Sequence, residues 1–205
     1  MASKIEIAKT VAKNEGVISL IKRGFKYYIF SFLYSFFVYM KLKTKRFNRN
    51  RIDKLVDFIF NDFHGFLAPI QVKSEITSLL KIVKIIKPLT IMEIGTAKGG
   101  TLFLFSKVVP KNAVIISVDL PGGNFRGGYP WWKIPLYKSF AKDKQVIHLI
   151  RGDSHDMETF KKVRAILGRR KIDFLFIDGD HTYEGVKKDF EMYKQLMGRG
   201  DNCIS

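Results

Sequence analysis

The stretch TIMEIGTAKGG, residues 90–100, decides the fold. Its first five residues form the apolar run of a buried strand, and the small residues after them let the backbone turn tightly beside a ligand. Three more apolar runs follow, each separated from the next by a helical or loop segment. They are Val114–Val118, Val146–Ile150 and Ile172–Ile177. Apolar strands that alternate with helices predict a parallel sheet covered on both faces, the doubly wound α/β class.

The predicted helices fall into two groups. Gly100–Val108, Met157–Leu167 and Tyr183–Met197 lie between or after the strands, and Leu55–Phe63 and Ser74–Ile86 precede them. The composition, 46% apolar and 27% charged over 205 residues, suits a globular chain with a real core. It excludes general disorder, collagen-like repeats and a polytopic membrane protein. One cysteine, Cys203, excludes a disulfide framework, and we expect a cytoplasmic protein.

Basic residues concentrate at the N-terminus. Residues 1–54 hold 13 basic and three acidic side chains, within a chain of net charge +17. We therefore divide the chain into a basic, aromatic helical arm, residues 1–54, and a domain over residues 55–205. An anionic lipid surface or a nucleic acid would explain the excess, and so would solubility alone.

The arm contains an unusual aromatic segment, Phe25–Met40, in which nine of sixteen residues are aromatic. Its uncharged part spans about 21 Å as a helix, less than the roughly 30 Å of a hydrocarbon layer. Three interpretations stay open: a helix lying on an anionic membrane, a helix buried against the domain or a sister subunit, and a short membrane span. The first predicts peripheral contact with the inner face of the membrane through residues 22–54.

Polar side chains follow the predicted strands at the sheet edge where ligands of this fold class bind. Asp119 ends the second strand, and its carboxylate suits the two hydroxyls of a ribose. Asp153 and Ser154 follow the third strand, where they suit an adenine edge. Each residue would otherwise serve as a helix cap, but three such endings in consecutive strands favour a nucleoside cofactor.

The fourth strand leads into Asp178-Gly179-Asp180-His181. Carboxylate oxygens on a turn suit a hard divalent cation such as Mg²⁺, so Asp178 and Asp180 are candidate metal ligands. A histidine that titrates near neutrality suits proton abstraction from a hydroxyl, which makes His181 a candidate general base. The alternative is that Asp180 caps the next helix and His181 only packs.

The glycine-rich loop narrows the choice of cofactor. Its spacing lacks the Gly-Lys-Ser/Thr of a Walker loop and the G-x-G-x-x-G of dinucleotide sites. It matches E-x-G-x-[GA]-x-G, the first motif of class I S-adenosylmethionine-dependent methyltransferases. With this loop, the segments ISVDLPGG, GGYPWWKIPLYKSFA, RGDSHD and FLFIDGDHTYEGVKKDFEMY make the chain resemble one bacterial and archaeal group of these enzymes, over residues 56 to 198. The group is related to macrolide sugar O-methyltransferases and cephalosporin hydroxylase-like proteins.

The resemblance implies a Rossmann-like sheet and transfer of a methyl group to a hydroxyl of a sugar, glycolipid or small molecule, with divalent metal assistance. It places S-adenosylmethionine against Glu93, Gly95, Thr96, Ala97, Gly99, Asp119, Asp153 and Ser154. It assigns Asp178 as a metal ligand, with Asp180 as a nearby helper, and His181 as the base. It makes Pro121–Pro135 a mobile lid, and it leaves homo-oligomerisation open.

The resemblance breaks at the C-terminus. The sheet of the family has seven strands, whereas the sequence up to Ser205 shows four convincing ones, with Cys203 and Ile204 as the stub of a fifth. We therefore expect missing C-terminal strands, an exposed edge at the fourth strand and a depleted metal site. An inactive remnant that binds a nucleoside or a membrane is the alternative function. Nucleic acid is not an expected substrate, because the fourth strand lacks the Asn/Asp-Pro-Pro-Tyr/Phe stretch of RNA base methylation.

Overall fold

The computed structural model describes residues 17–122 and 128–205. Its centre is a five-stranded sheet in the order β3-β2-β1-β4-β5, in which every neighbouring pair is parallel. The strands are β1 (Thr90–Ile94), β2 (Val114–Asp119), β3 (Val146–Arg151), β4 (Ile172–Ile177) and β5 (Met197–Ile204). The α-helices are α1 (Val17–Thr44), α2 (Ile52–Asn61), α3 (Lys73–Ile86), α4 (Gly100–Val108), α5 (Ile134–Lys138), α6 (Met157–Leu167) and α7 (Tyr183–Tyr193). Short 3₁₀ turns cover Asp62–Gly65, Trp131–Lys133 and Lys194–Leu196.

Alternate residues of the strands build two separate cores. Ile91 pairs with Ile115 and Phe174 in one core, which helices α1 to α5 cover. The next residues along these strands, Met92 among them, face a second core covered by α6 and α7. Both faces of the sheet are therefore buried, which confirms the doubly wound, Rossmann-like class and explains the continuous apolar runs.

The strand order places a ligand crevice beside β1. The chain winds outward from β1 through β2 to β3, then returns to the other side of β1 with β4. The crossover connections therefore diverge on either side of β1, and the carboxyl ends of β1, β2 and β4 border the gap between them. The polar residues predicted from the sequence follow these three strand ends and that of β3.

The expectation of an exposed edge at β4 is wrong. Strand β5 runs for eight residues, well beyond a two-residue stub, and pairs with β4 from Ile172↔Met197 to Phe176↔Ile204. The register shifts between Ile172 and Phe174, so the pairing is irregular at its start. The predicted helix from Tyr183 also ends earlier than expected, because Met197 already belongs to β5.

Helix α1 packs on the domain through a narrow stripe. Ser31, Ser35, Val38 and Leu42 are buried, at the spacing of one helix face, and the Tyr34 ring meets Phe66 edge-on at 5.0 Å. None of the helices in the described ranges combines the length and the apolar character that a membrane crossing demands. The part of the predicted N-terminal helix before Val17 lies outside the described residues.

Candidate functional site

A cavity of about 410 Å³ opens at the carboxyl ends of β1, β2 and β4, a volume typical of small-molecule sites. Eight of the eleven residues predicted for the site line this cavity. They are Gly95, Ala97, Asp119, Asp153, Ser154, Asp178, Asp180 and His181. The topology therefore brings together residues that are up to 86 positions apart in the chain.

Gly95 joins the ends of three strands at the floor of the cavity. Its N–H donates to the carbonyl of Val118 at 2.8 Å, and the N–H of Asp178 donates to the carbonyl of Ile94 at 2.8 Å. The φ angle of Gly95 is +96°, and a Cβ atom there would lie 2.2 Å from the carbonyl oxygen of Asp178. Only glycine fits this position, for reasons of both conformation and space.

Asp119 presents a buried carboxylate to the cavity. Its Oδ2 accepts a hydrogen bond from the N–H of Ala97 at 2.9 Å, and Ala97 adopts a left-handed conformation at φ 44° to make this contact. Burial raises the pKa of Asp119 to about 6, although the backbone N–H groups and Arg151 oppose that shift. The group is therefore mostly ionised at pH 7 and acts as a hydrogen-bond acceptor.

Glu93, Thr96 and Gly99, also predicted to contact the cofactor, lie outside the cavity lining. Glu93 is 1% exposed, and its Oε1 accepts a hydrogen bond from the Ser117 hydroxyl at 2.8 Å. That hydroxyl also bonds to Thr96. At Gly99 a Cβ atom would lie 2.6 Å from the Tyr137 ring. These residues pack beneath the loop that follows β1, on the side away from the cavity. Their contact with a cofactor stays a prediction.

Burial raises the pKa of Glu93 to about 8, so this carboxyl is mostly protonated at pH 7. The folded state then holds a proton that the unfolded chain releases above its ordinary pKa of 4.5. The contribution of this group to the free energy of unfolding is therefore largest at low pH, and it is lost as the pH rises toward 8.

We expect Glu93→Gln, which mimics the protonated form, to remove this pH dependence. Wild type and variant should unfold at similar urea concentrations at pH 5, and the variant should gain relative stability at up to about 1.4 kcal/mol per pH unit toward pH 8. Urea unfolding at pH 5 to 9 measures the difference, with the exposed Glu75→Gln as the control. Parallel pH profiles for wild type and Glu93→Gln would show that Glu93 is ionised in the folded protein.

The turn after β4 forms the mouth of the cavity. Asp178 is half-buried and accepts a hydrogen bond from the Gln71 side chain; burial raises the pKa of Asp178 against the opposing effects of His181 and Gln71. Asp180 Oδ1 accepts from the N–H of Thr182 at 2.9 Å. The hydroxyl of Thr182 caps α7, so the helix cap is Thr182 and Asp180 shapes the turn before it. His181 is exposed at this rim.

The described residues do not assemble a metal centre by themselves. Across residues 17–122 and 128–205, no three His, Cys, Asp or Glu side chains are grouped so as to hold an ion. Asp178 and Asp180 offer two carboxylates, one already engaged by Gln71 and the other by Thr182, whereas Mg²⁺ prefers six oxygen ligands. Metal binding by these two residues stays a prediction.

His155 and Gln71 also line the cavity, but they were not predicted as site residues from the sequence. The N–H of His155 donates to Asp153 Oδ1 at 2.8 Å, and its Nε2 lies 3.2 Å from Oδ1 of the buried Asp189. A histidine inside RGDSHD was a visible signal, but its acidic partner lies 34 positions later. Gln71 precedes α3 without any motif, so no local pattern marks it.

The predicted lid, Pro121–Pro135, is only partly described, because residues 123–127 lie outside the described ranges. Gly128 lines the cavity, and Tyr129 behind it is buried. Trp131 is 65% exposed, and the Trp132 ring meets Tyr28 of α1 edge-on at 5.3 Å. The segment thus connects the cavity rim to α1, and lid closure stays a prediction.

Comparison with known proteins shows which family this chain resembles. A family model described as a methyltransferase domain matches residues 92–200. An uncharacterised protein of Acanthamoeba polyphaga mimivirus is 32% identical over 118 residues, which are 57% of this chain and 50% of that protein. The chain therefore spans about half the length of this curated relative.

Two solved structures share the fold at low sequence identity. A Klebsiella pneumoniae protein provisionally assigned as an O-methyltransferase superposes with a TM-score of 0.51 at 16% identity, covering 72% of this chain and 62% of that one. The TDP-rhamnose 3′-O-methyltransferase CalS11 of calicheamicin biosynthesis gives 0.50 at 21% identity, covering 75% and 73%. Because the family model covers more than half of the chain, this protein belongs to the methyltransferase domain family.

Proposed function

We propose that this chain transfers a methyl group from S-adenosylmethionine to a hydroxyl group. The observation that supports the proposal most strongly is the position of Asp119, whose buried carboxylate faces a cavity of about 410 Å³ next to the Gly95 turn. A carboxylate at the end of the second strand of a Rossmann-like sheet is suited to the two hydroxyls of a ribose.

The cavity fits a nucleoside cofactor in shape and in donor chemistry. Gly95 has no side chain, so the backbone of the β1 loop can approach a ligand closely. Asp119 would hold the ribose, and Asp153 and Ser154, which also line the cavity, would hold the adenine. When bound, S-adenosylmethionine supplies an electrophilic methyl group.

The residues of this chain then have three tasks. The walls orient the acceptor and exclude water from the reacting atoms. His181, at the rim, removes the proton from the acceptor hydroxyl as the oxygen forms its bond to the methyl carbon; the bond between that carbon and the sulfonium sulfur breaks, and S-adenosylhomocysteine is the leaving group. No step is assigned to a metal ion, because no three metal-binding side chains are grouped among the described residues. Titration of activity with EDTA and Mg²⁺ tests the metal prediction separately.

The acceptor class we propose is a hydroxyl of a sugar, a glycolipid or a small metabolite. It follows from the sequence resemblance to sugar O-methyltransferases, and the exposed apolar side chains of Ile70 and Leu120 at the cavity support an acceptor with an apolar portion. Transfer of a tritiated methyl group to a panel of such compounds tests this choice.

Cofactor binding is the first test. We expect calorimetric titration of S-adenosylhomocysteine to give micromolar affinity. Asp119→Asn should weaken it about 30- to 100-fold, because the amide still accepts a hydrogen bond but lacks the charge, and the loss of about one charge-assisted hydrogen bond costs about 1.5–3 kcal/mol. The exposed Asp57→Asn is the matched control and should bind like wild type.

The pH dependence gives an independent readout of the same residue. With a pKa of about 6 for Asp119, wild-type affinity should be constant above pH 7 and fall toward tenfold per unit below pH 6. The Asp119→Asn variant should lack this fall. A folded wild-type chain that binds no S-adenosylhomocysteine would overturn the proposal and favour an inactive remnant.

A further inference from the structure

Helix α1 exposes an apolar surface that the domain leaves uncovered. Apart from its buried stripe, most large side chains between Phe25 and Met40 face outward, with Phe25 67%, Tyr27 70% and Phe30 65% exposed. We call this surface the aromatic face; it comprises Phe25, Tyr27, Tyr28, Ile29, Phe30, Phe32, Leu33, Phe36, Phe37 and Met40. Ten such side chains, each about half exposed, present roughly 1,000 Å², more than the largest apolar patch of a typical monomer.

The buried stripe explains why the aromatic residues point outward. Ser31 and Ser35 are small residues, and they occupy the side of the helix that is buried against the domain. The Ser35 hydroxyl donates to the carbonyl of Ser31 at 2.7 Å, so these polar groups are satisfied within the helix. Phe32 and Phe36, one residue further on, are therefore turned away from the stripe.

The charged residues of the chain segment that carries the aromatic face all have one sign. Residues 16–52 contain nine basic side chains and not one acidic residue. Lys26 lies at one end of the face, and Lys41 and Lys43 lie at the other, where their ammonium groups sit 5.7 Å from the Phe37 ring and 5.9 Å from the Tyr39 ring. An apolar surface with aromatic rings and cationic ends is complementary to the headgroup region of an anionic bilayer.

We propose that the aromatic face of α1 docks this protein onto an anionic lipid bilayer, with the helix lying in the plane of the surface. The aromatic rings enter the boundary between headgroups and acyl chains, and the lysines at the two ends contact lipid phosphates. A protein partner would need an acidic rim around an apolar groove, whereas the bilayer supplies both parts in one surface.

The docked surface would include the edge of the candidate site. Tyr28 contacts Trp132, and the Trp131 ring lies 6.1 Å from Trp132 and is exposed. These are the two tryptophans of the chain, and they follow Gly128, which lines the cavity. Docking therefore brings the cavity rim near the membrane and moves Trp131 toward a less polar environment.

Co-sedimentation of the full chain with vesicles tests the proposal. We expect binding to vesicles of equal parts phosphatidylglycerol and phosphatidylcholine, at least tenfold weaker binding to phosphatidylcholine alone, and weakening at 0.5 M salt. Tryptophan emission should shift to shorter wavelength on binding. No binding to the anionic vesicles would overturn the proposal.

Matched variants separate the aromatic face from general charge. Phe30→Ser with Phe32→Ser and Phe36→Ser should lower vesicle affinity at least tenfold, whereas Ile82→Ser with Ile85→Ser, an exposed apolar pair on α3, should leave it unchanged. Lys41→Glu with Lys43→Glu should weaken binding far more than Lys162→Glu with Lys188→Glu, which removes the same charge elsewhere. Equal losses from both charge pairs would overturn the proposal.

A second copy of the chain could cover the aromatic face instead of a membrane, and self-association distinguishes the two cases. Sedimentation velocity without lipid measures it over a range of protein concentrations. A dimer that the three serine substitutions dissociate, together with absent vesicle binding, would assign the face to a second copy of the chain and overturn the membrane proposal. Each vesicle result is independent of methyl transfer, so the two proposals fail separately.

Discussion

Replacing His181 by alanine is expected to lower the rate of methyl transfer by about 10²- to 10³-fold, the usual contribution of a positioned general base. The affinity for S-adenosylhomocysteine should stay within about twofold of wild type, because His181 lies at the rim of the cavity and the residue proposed to hold the ribose is Asp119. Initial rates with tritiated S-adenosylmethionine, and the best acceptor from the hydroxyl panel, measure the first quantity; calorimetry measures the second.

Two controls make the result specific. His64→Ala removes an exposed histidine that lies away from the cavity and should leave the rate unchanged. Added imidazole should partly restore the rate of His181→Ala, because the exposed rim admits a small base, and should not affect wild type. An unchanged rate in His181→Ala, or a rate lost only in proportion to cofactor affinity, would remove His181 from the mechanism.

Gly95→Ala is expected to unfold the sheet edge that carries the site. The left-handed conformation costs an alanine about 1–2 kcal/mol, and the new Cβ atom would lie 2.2 Å from the carbonyl oxygen of Asp178. Relief of that overlap separates the ends of β1 and β4 and breaks the hydrogen bond from Asp178 to Ile94. We expect a loss of at least about 4 kcal/mol in unfolding free energy and no measurable cofactor binding.

Gly122→Ala is the matched control. Gly122 also has a left-handed φ, +77°. Apart from its two neighbours in the chain, no described residue has a heavy atom within 4 Å of a Cβ added at this position. Urea unfolding of this variant should show only the conformational cost, about 1–2 kcal/mol. If both variants lost the same stability, the close contact between the two strand ends would be unimportant, and Gly95 would be required for its φ angle alone.

The sequence predicted the parts of the fold that local pattern controls. Strands β1, β2 and β4 are apolar runs buried on both faces, and β3, at the edge of the sheet, is an apolar run with exposed ends, so the positions of all four are visible in the residues themselves. Strand β5 is not, because MGRGDNCI contains two glycines and several polar residues and becomes a strand through its pairing with β4. Tertiary pairing overrides local propensity at such an edge.

The residues of the candidate site also fall into those that local sequence predicts and those that it does not. Asp119 and Asp178 were predictable because a topological rule places the ends of parallel strands around one crevice. The protonated state of Glu93 was not, since it depends on burial behind a loop, and neither was Gln71, whose partner Asp178 lies 107 positions away. Residues at the ends of strands were therefore predictable from the sequence, whereas properties that depend on tertiary packing were not.

The contact between Gln71 and Asp178 also concerns where the part of the chain that encloses the cavity starts. The family match begins at residue 92, yet Ile70 and Gln71 form one wall of the cavity, and the carbonyl of Leu67 lies against Gly100 so closely that an added Cβ would come within 2.2 Å of it. A fragment cut at the boundary of family similarity would leave the crevice open to solvent on that side. The sheet within the matched range therefore supplies the floor of the cavity, whereas the segment just before α3, which precedes that range, supplies one of its walls and so helps to decide which ligands enter.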